Sequence, residues 1–234
     1  MWPFSKRESI AGSGILQGYT DWHCHLLPGV DDGARTMEES LHVLSSYEQL
    51  GIREVWLTPH VMEDYPNTTE ELKSRFRELQ AAYSGPLTLH LASEKMLDHL
   101  FEERLQTDDL LPLGPDGRYL LVETSYYNPP YGLHALLQKI CKKGYIPVLA
   151  HPERYLYMER KDYEQLRQLN ISFQLNLPSL VGAYGPDAKR KAEWLLKNNY
   201  YRFSGTDTHR LDTWEHIVQI RQMPKSSITE KLFQ

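Results

Sequence analysis

The chain reads as a single-domain α/β protein in which seven parallel strands alternate with helices. Three observations carry this expectation. From Thr20 onward, short apolar runs alternate with amphipathic segments, the pattern of β-α units with right-handed crossovers. The length of 234 residues suits one large core. Polar, chemistry-bearing residues recur at the ends of the strands, which favours closure into a barrel over an open doubly wound sheet, because a barrel gathers its strand ends on one face.

Residues 1–18 contain Gly12, Ser13, Gly14 and Gly18 and read as a flexible lead-in, with the domain spanning 19–234. The first strand starts at Thr20 and carries His23 and His25 at alternating positions, so both leave one face. Pro28 and Gly29 then break the strand, and the turn delivers Asp31 and Asp32. Residues 36–50 place Met37, Leu41, Leu44 and Tyr47 at helical spacing before Gly51. A second strand covers 53–60. Residues 68–83 form a helix that opens on a cap-like Thr68, and Gly85-Pro86 ends it. The third strand is 87–92, followed by a less regular region through Leu113 and a Gly-Pro-Asp-Gly turn at 114–117. Strands at 119–125, 146–150, 171–177 and 200–204 alternate with helices at 133–143, 162–169, 187–197 and 211–222.

Bulk properties exclude several classes. With 41% hydrophobic and 24% charged residues the chain is an ordinary globular one. A net charge of -5 without a basic stripe argues against a nucleic-acid binder; Lys142-Lys143 and Lys189-Arg190-Lys191 read as solvated helix faces. No apolar run is long enough to span a bilayer, and the N-terminus has no secretory core, so a cytoplasmic protein without membrane insertion is expected. Cys24 and Cys141 have no metal or redox spacing. A cysteine phosphatase needs an Arg six residues beyond its nucleophile, and Val30 and Pro147 stand there instead.

The polar residues at strand ends are His23, His25 and Asp32 after the first, His60 after the second, Glu94 after the third and Glu123 at the fourth. His151 follows the fifth, and Asp207 and His209 follow the seventh. Five imidazoles and four carboxylates suit divalent metals. Singly, each has a plainer role: His60 as a loop histidine, Glu123 as an ion-pair partner, Asp207 or Asp31 as a helix cap. Together they point to a multinuclear metal site. His42, His90, His99, His134 and His216 read as surface or core residues.

These motifs resemble the polymerase-and-histidinol-phosphatase (PHP) superfamily of metal-dependent phosphoesterases, and within it the manganese-dependent protein tyrosine phosphatases of bacterial capsular and exopolysaccharide operons. The resemblance runs from Asp21 to about His216. It rests on D-W-H-C-H-L-L-P-G-V-D-D-G at 21–33, T-P-H at 58–60, A-S-E at 92–94, V-E-T at 122–124, A-H-P-E-R-Y at 150–155 and G-T-D-T-H at 205–209. It implies a distorted seven-stranded, TIM-like (β/α) barrel holding three divalent ions, manganese first, with iron or zinc as alternatives. By the same resemblance His23, His25, Glu94 and Asp207 would hold one ion, Glu94, Glu123 and His151 a second, and Asp32, His60 and His209 a third. Arg154 would bind the phosphate. Relatives carry a further arginine where this chain has Trp214, and Arg210 is the nearby candidate to replace it. Lys95 is a second departure.

The implied site has a charge that fits its substrate. Asp32, Glu94, Glu123 and Asp207 bring four negative charges and three divalent ions six positive, leaving plus two for a phosphomonoester dianion. In-line attack by a metal-activated hydroxide is the expected chemistry. The expected substrate is a phosphotyrosine protein, with a bacterial tyrosine kinase as the partner. A histidinol-phosphatase-like enzyme of small phosphomonoesters is the alternative, and a non-catalytic scaffold is disfavoured by the complete donor set. The loop Tyr126-Tyr127-Asn128-Pro129-Pro130-Tyr131 is either an aromatic rim for a phosphotyrosine ring or a proline-ordered cover.

Overall fold

The computed structural model describes residues 7–224. Among these, the alternation predicted from sequence closes into a parallel barrel. The elements are β1 (Thr20–Cys24), α1 (Met37–Leu50), β2 (Glu54–Leu57), β3 (His60–Val61), α2 (Thr69–Ala82), β4 (Thr88–Leu91), β5 (Glu94–Met96), α3 (Phe101–Thr107) and β6 (Tyr119–Glu123). They continue with α4 (Leu133–Lys142), β7 (Ile146–Ala150), α5 (Arg160–Gln168), β8 (Ser172–Asn176), α6 (Leu177–Val181), α7 (Gly185–Lys197), β9 (Tyr201–Gly205) and α8 (Leu211–Val218).

Nine short strands make seven staves. The ladders are β1-β2-β4 and β3-β5-β6-β7-β8-β9, all parallel. The expected second strand is split into β2 and β3 because Pro59 has no N–H to give the ladder. The third is split into β4 and β5 where the Ser93 N–H turns away to donate to the Leu111 carbonyl at 3.0 Å. Pairing crosses both breaks: Ala92 N donates to Leu57 O at 2.8 Å, and Glu94 N to Pro59 O at 3.1 Å. The barrel closes between β9 and β1, where Asp207 N donates to His23 O at 2.7 Å and His25 N to Thr208 O at 2.9 Å.

Helix ends follow their sequence signals. Thr36 caps α1 by accepting from Glu39 N, and Thr68 with Glu71 forms a capping box on α2. Two short helices lie where no helix is expected. The seven-residue α3 has only Phe101 and Leu105 to bury, too short a window to show a period. The five-residue α6 is buried throughout, so no amphipathic stripe marks it.

Residues facing the helices form two clusters, one around Val43, Leu44, Tyr47, Val55 and Leu57, the other around Leu120, Leu137, Leu149, Tyr163 and Phe173. A third fills the barrel: Trp56, Leu121, Val148, Ala150 and Phe203, with Trp22 and Tyr119 against it. Residues 1–6 of the lead-in lie outside the described residues. From residue 7 it packs, with Ile10, Ile15 and Leu16 buried in the first cluster and Glu8 O accepting from Met223 N at 3.0 Å. Three apolar side chains outweigh the freedom its glycines offer.

Candidate metal centre

Strand β1 is irregular where the site begins. Asp21 pairs with Val55 and Cys24 with Leu57, three steps on β1 against two on β2. One residue is therefore extra, and a bulge re-aims the side chains beyond it. Trp22 and His23 both face the barrel interior as a result, Trp22 toward the aromatic filling and His23 toward the carboxyl-terminal mouth. Gly205 makes room for this on β9, since a Cβ there would lie 2.5 Å from the His23 Cβ. Gly33 does the same beneath His25, where a Cβ would lie 2.0 Å from the His25 carbonyl oxygen.

All nine candidate ligands converge at the mouth. The tightest group joins His23, His25, Glu94 and Asp207. His23 Nε2 lies 3.1 Å from His25 Nε2, 3.2 Å from Glu94 Oε2 and 3.5 Å from Asp207 Oδ1; His25 Nε2 lies 3.4 and 3.3 Å from the same two oxygens. Such separations are those of neighbouring nitrogen and oxygen donors that each lie about 2.0 Å from a shared first-row divalent ion. His151 Nε2 stands 3.1 Å from Glu94 Oε1 and 3.9 Å from Glu123 Oε2, which brings the second expected set together. Asp32 Oδ1 is 3.6 Å from His60 Nε2 and 3.5 Å from His209 Nε2, the third set. His60 also reaches the second: its Nδ1 is 3.2 Å from Glu94 and 3.1 Å from Glu123.

The hydrogens of three imidazoles are committed behind the cluster. His23 Nδ1 donates to Gln174 Oε1 at 3.0 Å, His25 Nδ1 to Asp31 Oδ2 at 2.8 Å and His209 Nδ1 to the Asp207 carbonyl at 2.9 Å. Each Nε2 is thereby left as a lone pair aimed at carboxylate oxygens. Lone pairs facing lone pairs in a buried space repel, and among the described residues both Glu94 carboxylate oxygens, Glu123 Oε1 and His60 Nδ1 have no hydrogen-bond partner. Protons or divalent cations can supply the positive charge this demands. Burial pushes the His23 imidazole down, yet Glu94 and Asp207 outweigh it and lift its pKa to about 9. Burial likewise opposes ionisation of Glu94 and Asp207, but His23 and its neighbours hold both well below the carboxylate range. The neighbouring His209 imidazole, when protonated, holds Asp32 down at about 2. The donor set fits divalent metals by its oxygen and imidazole chemistry and its orphaned buried atoms.

Backbone strain marks the same place. His151 and Asp207 adopt φ of 33° and 53°, left-handed values that glycine takes without cost and other residues rarely adopt. Asp207 is held from both sides. Its Oδ1 faces the histidines, while Oδ2 accepts from Arg154 Nη1 and, at 2.9 Å, from Asn176 Nδ2.

Several residues have roles the sequence did not assign. Asp31, read as a helix cap, caps nothing: Thr36 does that, and Asp31 orients His25 while accepting from Gly33 N and His60 N. Gln174 and Asn176 orient His23 and Asp207. Their trace was two amides at alternate positions of an otherwise apolar strand. Asp21 accepts from Thr206 Oγ1, Thr206 N and Tyr47 Oη, tying β1 to the loop after β9. Arg210 opens α8 directly after His209. It lines a surface cavity with His209, Arg35, Glu39 and His42. Trp214 turns into the core against Tyr47, with ring centroids 5.2 Å apart, so its position does not face the site at all.

The family model described as "Capsular polysaccharide synthesis, CpsB/CapC" matches residues 19–223. The chain is 29% identical to tyrosine-protein phosphatase YwqE of Bacillus subtilis over 82% of its own length and 78% of that protein. It is also 29% identical to tyrosine-protein phosphatase CpsB of Streptococcus pneumoniae, over 85% and 86% of the two chains. A solved structure from work on YwqE of B. subtilis and CpsB of S. pneumoniae, described as unique metal-dependent tyrosine phosphatases, superposes with a TM-score of 0.76 at 27% identity, covering 92% of this chain and 84% of that one.

Proposed function

The chain belongs to the CpsB/CapC capsular polysaccharide synthesis family, and from that premise we propose that it is a metal-dependent protein tyrosine phosphatase using the mouth of its barrel. The observation that carries the reading is the convergence of nine nitrogen and oxygen donors with three imidazole hydrogens tied back, so that lone pairs meet at one place. The ligand sets are His23, His25, Glu94 and Asp207 for one ion, Glu94, Glu123 and His151 for a second, and Asp32, His60 and His209 for a third. Manganese suits this thiolate-free set, as do iron and zinc. Bound divalent ions would supply Lewis acidity and a water acidified toward a pKa of ~7 for in-line displacement at phosphorus.

The protein's own residues do the rest. Gln174 and Asp31 keep His23 and His25 in the tautomer that leaves Nε2 free. Arg154 takes the phosphoryl oxygens with guanidinium hydrogens that its bond to Asp207 leaves unused. A tyrosine phenol has a pKa of about 10, well below an alkyl alcohol, so its departure demands less protonation by a general acid. Tyr127 is 71% exposed, and Tyr131 stands fully in solvent beside the mouth. Such an apolar rim favours a protein substrate over a small one. The partner we propose is a tyrosine-phosphorylated bacterial kinase of the same capsule pathway, met in the cytoplasm. Among the described residues no helix is long and apolar enough to cross a membrane.

A panel run with manganese, iron and zinc in turn tests this. Phosphotyrosine peptides should be hydrolysed faster than histidinol phosphate, and His151→Ala should abolish the reaction. Preference for histidinol phosphate would move the enzyme to the small-molecule class, and activity surviving His151→Ala would remove the proposed site.

A further inference from the structure

Arg154 is gripped on more sides than a phosphate ligand needs. It ends the 3-10 turn Pro152–Arg154 directly after His151. Its guanidinium carbon lies 4.5 Å from the ring centroid of Tyr126 and 4.0 Å from that of Tyr184. Nη1 donates to Asp207 Oδ2, and among the described residues neither Nη2 nor Nε has a protein partner.

Tyr184 arrives from elsewhere in the chain. It sits in the turn between α6 and α7, bracketed by Gly182 and Gly185 with φ of 83° and 90°. Those left-handed positions fold the turn back toward the mouth. The Tyr184 hydroxyl accepts from Asn176 Nδ2 at 3.3 Å, and the same Nδ2 donates to Asp207 Oδ2 at 2.9 Å. Tyr184, Asn176, Asp207 and Arg154 therefore form a closed ring of contacts. Tyr126 is anchored separately, its carbonyl accepting from Leu156 N at 2.8 Å.

We propose that Tyr184 is a positioning residue: with Tyr126 it clamps the Arg154 guanidinium so that its free edge is presented to the phosphoryl group. This rests on the phosphatase reading for the identity of the anion. A planar cation packed against two aromatic rings and bonded through Nη1 has few directions left in which to donate. Holding it there before substrate arrives removes the entropy of ordering a long side chain on binding.

The test is a double-mutant cycle on the full chain, read in two ways: calorimetric binding of inorganic phosphate, and kcat and KM on a phosphotyrosine peptide. Tyr184→Ala should weaken phosphate binding roughly three- to thirtyfold, with the loss appearing mainly in KM. Tyr184→Phe, which keeps the ring, should recover it. Adding Tyr184→Ala to Arg154→Ala should cost nothing further, because Tyr184 acts through Arg154. If Tyr184→Ala fails to fold, Tyr184→Leu carries the same expectation, having bulk without a π face. Phosphate binding unchanged by loss of the ring, or losses that multiply in the double variant, would overturn the clamp. Should the wild type bind phosphate with the expected pattern yet hydrolyse no phosphomonoester, the clamp stands and the phosphatase reading falls. Should it hydrolyse phosphotyrosine with Tyr184→Ala silent in both readouts, the clamp alone falls.

Discussion

The two ends of the barrel are built from the same strands and solve opposite problems. Toward the amino-terminal end the interior is aromatic: Trp56 stacks on Trp22 and on His90 with centroids 5.4 and 4.5 Å apart, and Phe203 meets Trp22 and Tyr119 edge-on at 4.9 and 5.0 Å. At the mouth the interior is polar, buried and crowded with unpartnered carboxylate oxygens. The amino-terminal end is organised for packing, the mouth for a charge that the protein atoms alone do not satisfy. A single bulge in β1 joins the two, sending Trp22 one way and His23 the other. Stability and chemistry are thus separated along each strand, as barrel architecture allows, and substitutions at the two ends should have opposite signatures.

The largest effect belongs to Glu94, which touches His23, His25, His60 and His151. Glu94→Gln should lower kcat/KM for a phosphotyrosine peptide by at least about 10³-fold, more than the loss of any outer partner. The melting temperature of the metal-stripped protein should fall only modestly, because the imidazoles that hold Glu94 ionised lose their counter-charge. A large fall in that temperature with activity retained would break the contrast. At the other end, Trp56→Ala should cost about 3–5 kcal/mol of folding stability by denaturant titration while leaving kcat in place. If kcat falls with it, the two ends are coupled.

Asp31→Asn is the intermediate case. The amide keeps the shape but no longer obliges His25 to hold its hydrogen on Nδ1, so metal affinity should drop about 10–100-fold by calorimetry. Affinity unchanged would mean the tautomer is set elsewhere. The smallest effect is at the rim. Leu156 is 60% exposed and is not one of the nine candidate ligands, so Leu156→Ala should leave turnover of a small aryl phosphate alone and reduce kcat/KM for a phosphoprotein about two- to fivefold.

How much of this the sequence disclosed depended on residue chemistry. The nine donors stood out because imidazoles and carboxylates at strand ends have few structural uses in number, and the alternation of segments was strong enough to place seven staves. Asp31 was misread because one carboxylate can cap a helix or orient an imidazole, and only geometry distinguishes the two. Gln174 and Asn176 were passed over because amides seldom ligate first-row divalent metals, although their alternation on the strand was visible. The β1 bulge left no mark, as it changes pairing and not composition. The glycines before Tyr19 concealed that Ile10, Ile15 and Leu16 are core residues. The direction of Trp214 was likewise hidden, since a helix position says nothing of which neighbour the ring will meet.

The central claim is that the mouth works through cations held by its converging donors. Protein stripped by a chelator should be titrated with manganese while phosphate release from a phosphotyrosine peptide is monitored. Release should be absent at the start, rise with added metal and saturate, with the melting temperature climbing in parallel as ligand linkage requires. Full release by the stripped protein, unaffected by manganese, would contradict it.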